Sequence, residues 1–362
     1  MSDSASVQTV QQKRQSNFEL LRILMMLLII AHHFVCHGSA DFESDLPAFS
    51  LVWLRLLEMG GKIGVNVFVL ISGYFLIEAK SFKISKIVKL WLQVFFYSAL
   101  LFCVTIYITK EFHLSMLPNL FLPISFRDWW FVSAYFVMYL ISPLLNKALN
   151  SLSKKQYLRV IIVAVVMWSV IPTLFNVYLE SNSLLWFITL YAIAGYIRKF
   201  NPFEKYDRKL FLFAAVVLAV VSLALRILLF DILDVVNTKF QPYVNSPYNM
   251  QYLLTLLISI CIFVYFSKLD IQYNKAINTV SSTTFAIYLI HDYPSIREYL
   301  WNYVFVYTKY LGSIKIIPYS IIVVLLIFVF CAVIELIRQN LIERFYVPYL
   351  SKLDKFSVFN TA

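Results

Sequence analysis

The first apolar segment carries two ionisable residues whose spacing could support chemistry on a long ligand. Arg22 and His33 are eleven residues apart in FELLRILMMLLIIAHHFVCH. In an α-helix this spacing comes within about 20° of three full turns, and it separates the residues by roughly 16 Å along the axis. Both side chains are therefore predicted on one helix face, with Glu19 and His37 near the same stripe and His32 pointing elsewhere.

These residue types suit the two ends of a ligand such as a coenzyme A thioester. Arginine binds phosphate groups well, and histidine is the usual proton-transfer residue near neutral pH. Ionisable side chains inside a membrane are costly and often functional. A structural role is the open alternative: Arg22 could pair with Glu19 or reach the interface, and His33 could hydrogen-bond a neighbouring helix.

Three further stretches combine polar, aromatic or glycine residues with long apolar runs. GGKIGVNVFVLISGYFLI contains four of the seven glycines, which indicates either close helix packing or a cavity wall. DWWFVSAYFVMYLISPLL begins with Asp128 and with tryptophans that could simply anchor at the headgroups. SSTTFAIYLIHDYP places a His-Asp pair at the outer end of the ninth predicted helix, where the histidine could simply be solvated. The candidate pore-lining residues are Gly64, Asn66, Ser72, Gly73 and Trp130, and the candidate acceptor-binding residues are His37, His291 and Asp292.

The elements that position these residues are predicted to be membrane-spanning helices. Hydrophobic residues make up 60% of the 362 residues and charged residues only 14%, against about 45–50% and about 25% in soluble domains. A water-facing fold of this length could not hide so much apolar surface, whereas a bilayer accommodates it. We predict an all-α polytopic protein with about ten spans, at 18–37, 62–79, 88–109, 129–146, 158–178, 184–198, 210–230, 251–267, 277–293 and 318–338.

The net charge of +11 is explained by topology better than by nucleic-acid binding. Ten crossings from a cytoplasmic N-terminus place 21 of the 31 Lys and Arg residues inside and 8 outside, with Arg22 and Arg226 set aside as intramembrane. We therefore predict a cytoplasmic tail over 1–16, one transmembrane domain over 17–345 and a cytoplasmic tail over 346–362. The four scattered cysteines suggest neither a disulfide framework nor a zinc site.

Taken in order, these stretches resemble the acyltransferase family 3 membrane proteins. Arg22 and His33 match the Arg and the following His of that family's opening segment, and IGVNVFVLISGYFLI resembles its glycine-containing second helix. WFVSAYFVMYLISPLL resembles its tryptophan-led fourth helix, and IYLIHDYP its late IYLIH-type helix. Many members carry Arg-x-x-Arg near the third helix. In the corresponding stretch here, SFKISKIVK, Lys83 and Lys86 would replace these two arginines. Lysine keeps the positive charge but cannot form the two parallel hydrogen bonds of a guanidinium group.

The resemblance implies a plasma-membrane enzyme that moves an acyl group, usually acetyl, from cytoplasmic acyl-CoA to a hydroxyl of an extracytoplasmic glycan. Such a glycan would be an exopolysaccharide, a capsule or a lipid-linked sugar. Arg22, Lys83 and Lys86 would hold the acyl-CoA and His33 would be catalytic, without a metal. The expected partners are the bilayer, the glycan acceptor and polysaccharide biosynthesis machinery. The alternatives are a glycan exporter or flippase without acyl chemistry, and a membrane anchor or assembly subunit.

Overall fold

A computed structural model describes residues 15–38, 46–79, 81–114, 117–125, 129–175, 182–232 and 248–356. Within these ranges, all regular secondary structure is helical. Asp128 and parts of both predicted tails, 1–14 and 357–362, lie outside these described residues. The α-helices are α1 (Ser16–Cys36), α2 (Ala48–Leu76), α3 (Ile84–Thr109), α4 (Leu117–Phe121), α5 (Trp130–Asn150), α6 (Lys154–Val165), α7 (Ile171–Phe175), α8 (Ser183–Phe200), α9 (Arg208–Arg226), α10 (Leu253–Ser267), α11 (Lys275–Ser281), α12 (Thr284–His291), α13 (Pro294–Tyr299), α14 (Ile316–Arg338) and α15 (Arg344–Leu350). Four π-helical turns occur at Val166–Val170, Ile227–Ile232, Leu300–Val304 and Gln339–Glu343, and 3₁₀ turns at Thr308–Tyr310 and Ser351–Phe356.

Within these ranges, seven helical segments are long and apolar enough to cross a membrane, which confirms the all-α polytopic class. They are Ser16–Cys36, Ala48–Leu76, Ile84–Thr109, Trp130–Asn150, Lys154–Phe175, Arg208–Leu229 and Ile316–Lys355. The prediction of ten is too high by this measure. α10 has only 15 residues, and the segment predicted at 277–293 is divided into α11 and α12 because the helix breaks at Ser282 and Thr283.

The second spanning helix begins earlier than predicted. α2 starts at Ala48, so Arg55 lies inside the helix and not in an outer loop, and Lys62, predicted at the start of the span, lies near its middle. Arg55 is buried, and its charge is offset by Glu58 at 2.8 Å and by Asp231 at 2.5 Å. These two acids allow the helix to continue through a position that hydropathy alone assigns to a loop.

Helix α1 is packed against α2, α10, α11, α12 and α14. Its N-terminal turn is tied to the broken helix, because the Ser281 hydroxyl donates to Glu19 Oε2 at 2.5 Å. The amide of Asn17 donates to the carbonyl of Phe266 at 2.9 Å. The Ser281 bond holds α11 beside α1, and the Asn17 bond ties the same turn of α1 to the last turn of α10. α12 follows α11 along α1, and its end lies at the level of the histidines on α1.

A buried acid joins α14 to α3. Glu335 accepts hydrogen bonds from Tyr97 Oη at 2.6 Å, from Gln93 Nε2 at 3.0 Å and from Arg338 Nε at 2.7 Å. Gln339 also donates to Glu335, at 2.9 Å. The carboxylate is fully buried but surrounded by donors, which is the condition under which a buried charge is tolerated.

Candidate active site

A cavity of about 1070 Å³ brings the basic residues of α1 and α3 together with the histidines of α1. Arg22 and His33 both line it, so the two residues share one space. The cationic lining residues are Arg22, Lys62, Lys83, Lys86, Lys89 and Arg198. Aromatic walls are provided by Phe68, Phe75, Trp130, Phe131, Tyr135, Tyr139, Phe285 and Tyr288.

Most of the cations form a basic end around the start of α3. Lys83 is the N-cap residue of α3, and Lys86 and Arg22 border a common side pocket. Three of these cations have carboxylate partners: Arg22 with Glu19 at 2.5 Å, Arg198 with Glu78 at 2.7 Å, and Lys89 with Glu343. Lysine and arginine donors clustered in this way are suited to bind phosphate groups.

The opposite end of the Arg22–His33 stripe contains a chain of hydrogen bonds through two histidines. His33 Nδ1 lies 3.0 Å from His291 Nε2, and His291 Nδ1 lies 2.5 Å from the carbonyl oxygen of Ile287. A carbonyl can only accept, so His291 Nδ1 must carry a proton. With both rings neutral, His291 Nε2 then accepts from His33 Nδ1–H. This tautomer leaves His33 Nε2 with its lone pair and able to act as a base.

Asp292 lies behind this pair and does not line the cavity. Its Oδ1 is 3.6 Å from His33 Nδ1, 3.9 Å from His37 Nε2 and 3.2 Å from Arg297 Nη1. The first two distances are too long for hydrogen bonds, so Asp292 faces the two histidines without bonding them. Burial, and then the Arg297 guanidinium, lowers the pKa of His37 to about 4, so His37 is neutral near pH 7.

His33, His37 and Asp292 also form a possible metal-ligand group. One ligand atom from each lies within 4.8 Å of the others. Two imidazoles and one carboxylate form a donor set found in catalytic zinc sites. Arg297 beside Asp292 would compete with such an ion for the carboxylate.

The predicted pore-lining residues divide into two groups. Ser72 and Trp130 line the cavity, whereas Gly64, Asn66 and Gly73 face neighbouring helices, which corrects the prediction for these three. A Cβ on Gly64 would lie 3.0 Å from Met25 O, and one on Gly73 would lie 2.8 Å from Tyr191 Cα. Asn66 is fully buried and bonds Met250 O at 2.8 Å and Trp186 Nε1 at 2.9 Å. These positions serve close packing because small or fully bonded groups permit it.

Two cavity residues were missed or misplaced by sequence reasoning. His32, expected to point elsewhere, also lines the cavity, and its Nδ1 lies 2.6 Å from the Glu58 carbonyl oxygen. Lys62 also lines the cavity, although it was predicted only as the first residue of the span 62–79, at the outer side of the membrane. The signal that could have located Lys62 is its place inside the glycine-rich helical stretch GGKIGV.

Comparison with known proteins identifies a family. The model of acyltransferase family 3, described as an acyltransferase domain, matches residues 15–336. No curated protein and no solved structure matches the chain. The matched range contains both the basic end and the histidine pair of the cavity.

Proposed function

The chain belongs to acyltransferase family 3, and on this premise we propose that it transfers an acyl group, in the simplest case acetyl, from acyl-CoA to a hydroxyl of an extracytoplasmic glycan. The observation that best supports this proposal is the cavity that Arg22 and His33 line together. It offers a basic end for an anionic carrier and an imidazole for proton transfer.

In this proposal the phosphates of acyl-CoA are held by Arg22, Lys83 and Lys86. The arm of the coenzyme runs along the cavity beside α1, over the roughly 16 Å that separate Arg22 from His33 on a helix. The thioester then lies beside His33. Binding the carrier far from the reacting carbon is useful, because that binding energy holds the thioester in position for attack.

His33 Nε2 acts as the general base. It removes the proton of the acceptor hydroxyl while the hydroxyl oxygen attacks the thioester carbonyl carbon. Collapse of the tetrahedral intermediate breaks the carbon–sulfur bond, and the leaving thiolate takes up the proton from His33. Asp292 stabilises the imidazolium that forms between the two steps, through its charge at 3.6 Å.

The acceptor approaches from the side of the membrane opposite the basic end. Lysines clustered at the end of a spanning helix are typical of the cytoplasmic side, which supports entry of acyl-CoA from the cytoplasm at the basic end. A glycan hydroxyl then reaches His33 from outside, past Trp130 and the other aromatic walls. Partners in polysaccharide biosynthesis would supply that glycan.

Purified protein, radiolabelled acetyl-CoA and a purified surface glycan would test the proposal. We expect label to appear in the glycan with the wild type, and not with His33→Ala. His113→Ala, at an exposed position on the loop after α3, is the matched control and is expected to be fully active. A folded wild-type protein that yields no labelled glycan and no released CoA with any surface glycan of its own cell would contradict the proposal and favour an exporter.

A further inference from the structure

Lys62 places an ammonium group in the cavity at the level of the α1 histidines. It follows Gly61, where a Cβ would lie only 2.3 Å from His32 Cγ. This turn of α2 is therefore pressed against α1 at the histidines. Lys62 is within electrostatic range of His32, His33 and His37, and it lines the cavity together with His32 and His33.

Among the described residues, Lys62 lacks the carboxylate partner that three other cavity cations have; Lys83 and Lys86 lack one as well, but they lie at the start of α3 and not beside the histidines. Arg22, Arg198 and Lys89 are each paired with a carboxylate. Lys62 forms no ion pair or hydrogen bond with any residue in the described ranges. Its Nζ lies 5.5 Å from the centre of the Trp130 ring, a contact that orients an ammonium but does not neutralise it. A cation kept inside a membrane helix without an acid partner is available to an anion that arrives with the substrate.

We propose that Lys62 is a catalytic residue that stabilises the oxyanion of the transfer reaction, an inference that rests on the proposed function. When the acceptor oxygen bonds to the thioester carbonyl carbon, the carbonyl π electrons move onto its oxygen. Lys62 donates to that oxygen while His33 holds the proton taken from the hydroxyl. The C=O bond then re-forms, the carbon–sulfur bond breaks, and CoA leaves as the thiol with the proton from His33.

The position of Lys62 indicates that the anion it binds is a short-lived oxyanion and not the phosphates of the donor. The phosphates have their own cations around Arg22 and the start of α3, which are about 16 Å from the histidine level on a helix. Lys62 offers a single charge beside the base, and a fixed cation is most effective where negative charge develops during reaction.

Lys62→Met tests this role, with Lys147→Met on the exposed side of α5 as the matched control. We expect kcat to fall by about 10²–10³-fold in Lys62→Met, the usual effect of losing an oxyanion donor. The KM values for acyl-CoA and acceptor should change little, and Lys62→Arg should retain more kcat than Lys62→Met. Acyl-CoA binding equal to wild type would show that the variant is folded. If Lys62→Met does not accumulate, Lys62→Leu, which also has no donor, carries the same expectation.

Two results would overturn the role. One is a wild-type kcat in Lys62→Met, and the other is an increase in acceptor KM alone, which would make Lys62 a binding residue for an anionic acceptor. In either case, loss of transfer activity in His33→Ala would still support the proposed function. If the His33 and Lys62 variants both transfer acyl groups at wild-type rates, the proposed function fails as well.

Discussion

His33 Nδ1 lies 3.0 Å from His291 Nε2, although the two histidines are 258 residues apart in the chain. His291 is in turn bonded to the carbonyl of its own helix at Ile287. The last turn of α12 therefore determines which nitrogen of His33 is available for proton transfer. A histidine predicted to bind the acceptor is placed instead behind the proposed base.

Replacing His291 should lower turnover and leave donor binding intact. His291→Leu removes the acceptor for His33 Nδ1–H, so the wrong tautomer is populated, and we expect kcat to fall by about 10²-fold, the lower end of a general base's contribution. His291→Gln can still accept through its amide oxygen and should retain more activity. Steady-state rates with varied acyl-CoA would measure this, and equal losses in both variants would contradict the positioning role.

Removing the Arg22 side chain should weaken binding of the acyl donor, and only through the loss of contacts with its phosphates. Arg22→Ala is expected to raise the KM for acyl-CoA by about 10–100-fold, because a hydrogen bond to a charged group contributes about 1.5–3 kcal/mol. The KM for acyl-pantetheine, which lacks the phosphates, should not change. Arg208→Ala, on the exposed first turn of α9, is the control. An equal increase in KM for acyl-CoA and for acyl-pantetheine would show that Arg22 does not act through the phosphates.

Zinc ions should inhibit transfer by capturing His33, His37 and Asp292. The pKa of His37, lowered to about 4 by burial and Arg297, keeps this ring unprotonated and able to bind metal down to about pH 5. His37→Gln is expected to raise the inhibition constant for Zn²⁺ by at least about 10-fold, whereas His113→Gln should not. Inhibition that is unchanged in His37→Gln, or not reversed by a chelator, would argue against this site.

Breaking the buried acid network between α3 and α14 should destabilise the fold. Glu335→Gln leaves Arg338 without its main counter-ion, and losing one partner of a buried pair costs about 3–5 kcal/mol. Thermal unfolding in detergent should show a lower Tm, while exposed Glu298→Gln should match wild type. Adding Arg338→Met to Glu335→Gln should recover part of the loss. A double variant less stable than the single would contradict this account.

Gly73→Ala should also destabilise the protein, because the added Cβ would lie 2.8 Å from the Tyr191 backbone of α8. Backbone cannot move aside as a flexible side chain can, and overpacking of this kind costs about 1–3 kcal/mol. Gly312→Ala is the matched control, since nothing lies within 4 Å of the new Cβ. Similar Tm values for the two variants would mean that α2 and α8 do not pack this closely.

The sequence by itself determined the membrane class and the relation between Arg22 and His33. Both depend on local properties: hydropathy follows from composition, and the 3.6-residue period places two residues of one helix on a common face. The family could be recognised for the same reason, because its motifs are short local patterns in a fixed order.

Only the tertiary structure decided which groups meet these two residues. His291 reaches His33 because α12 packs beside α1, and Lys62 enters the cavity because Gly61 lets α2 approach α1. Asn66 and Gly73, in the same glycine-rich stretch, face other helices instead. Contacts between helices depend on how their faces are packed together, and no period within a single helix encodes that arrangement.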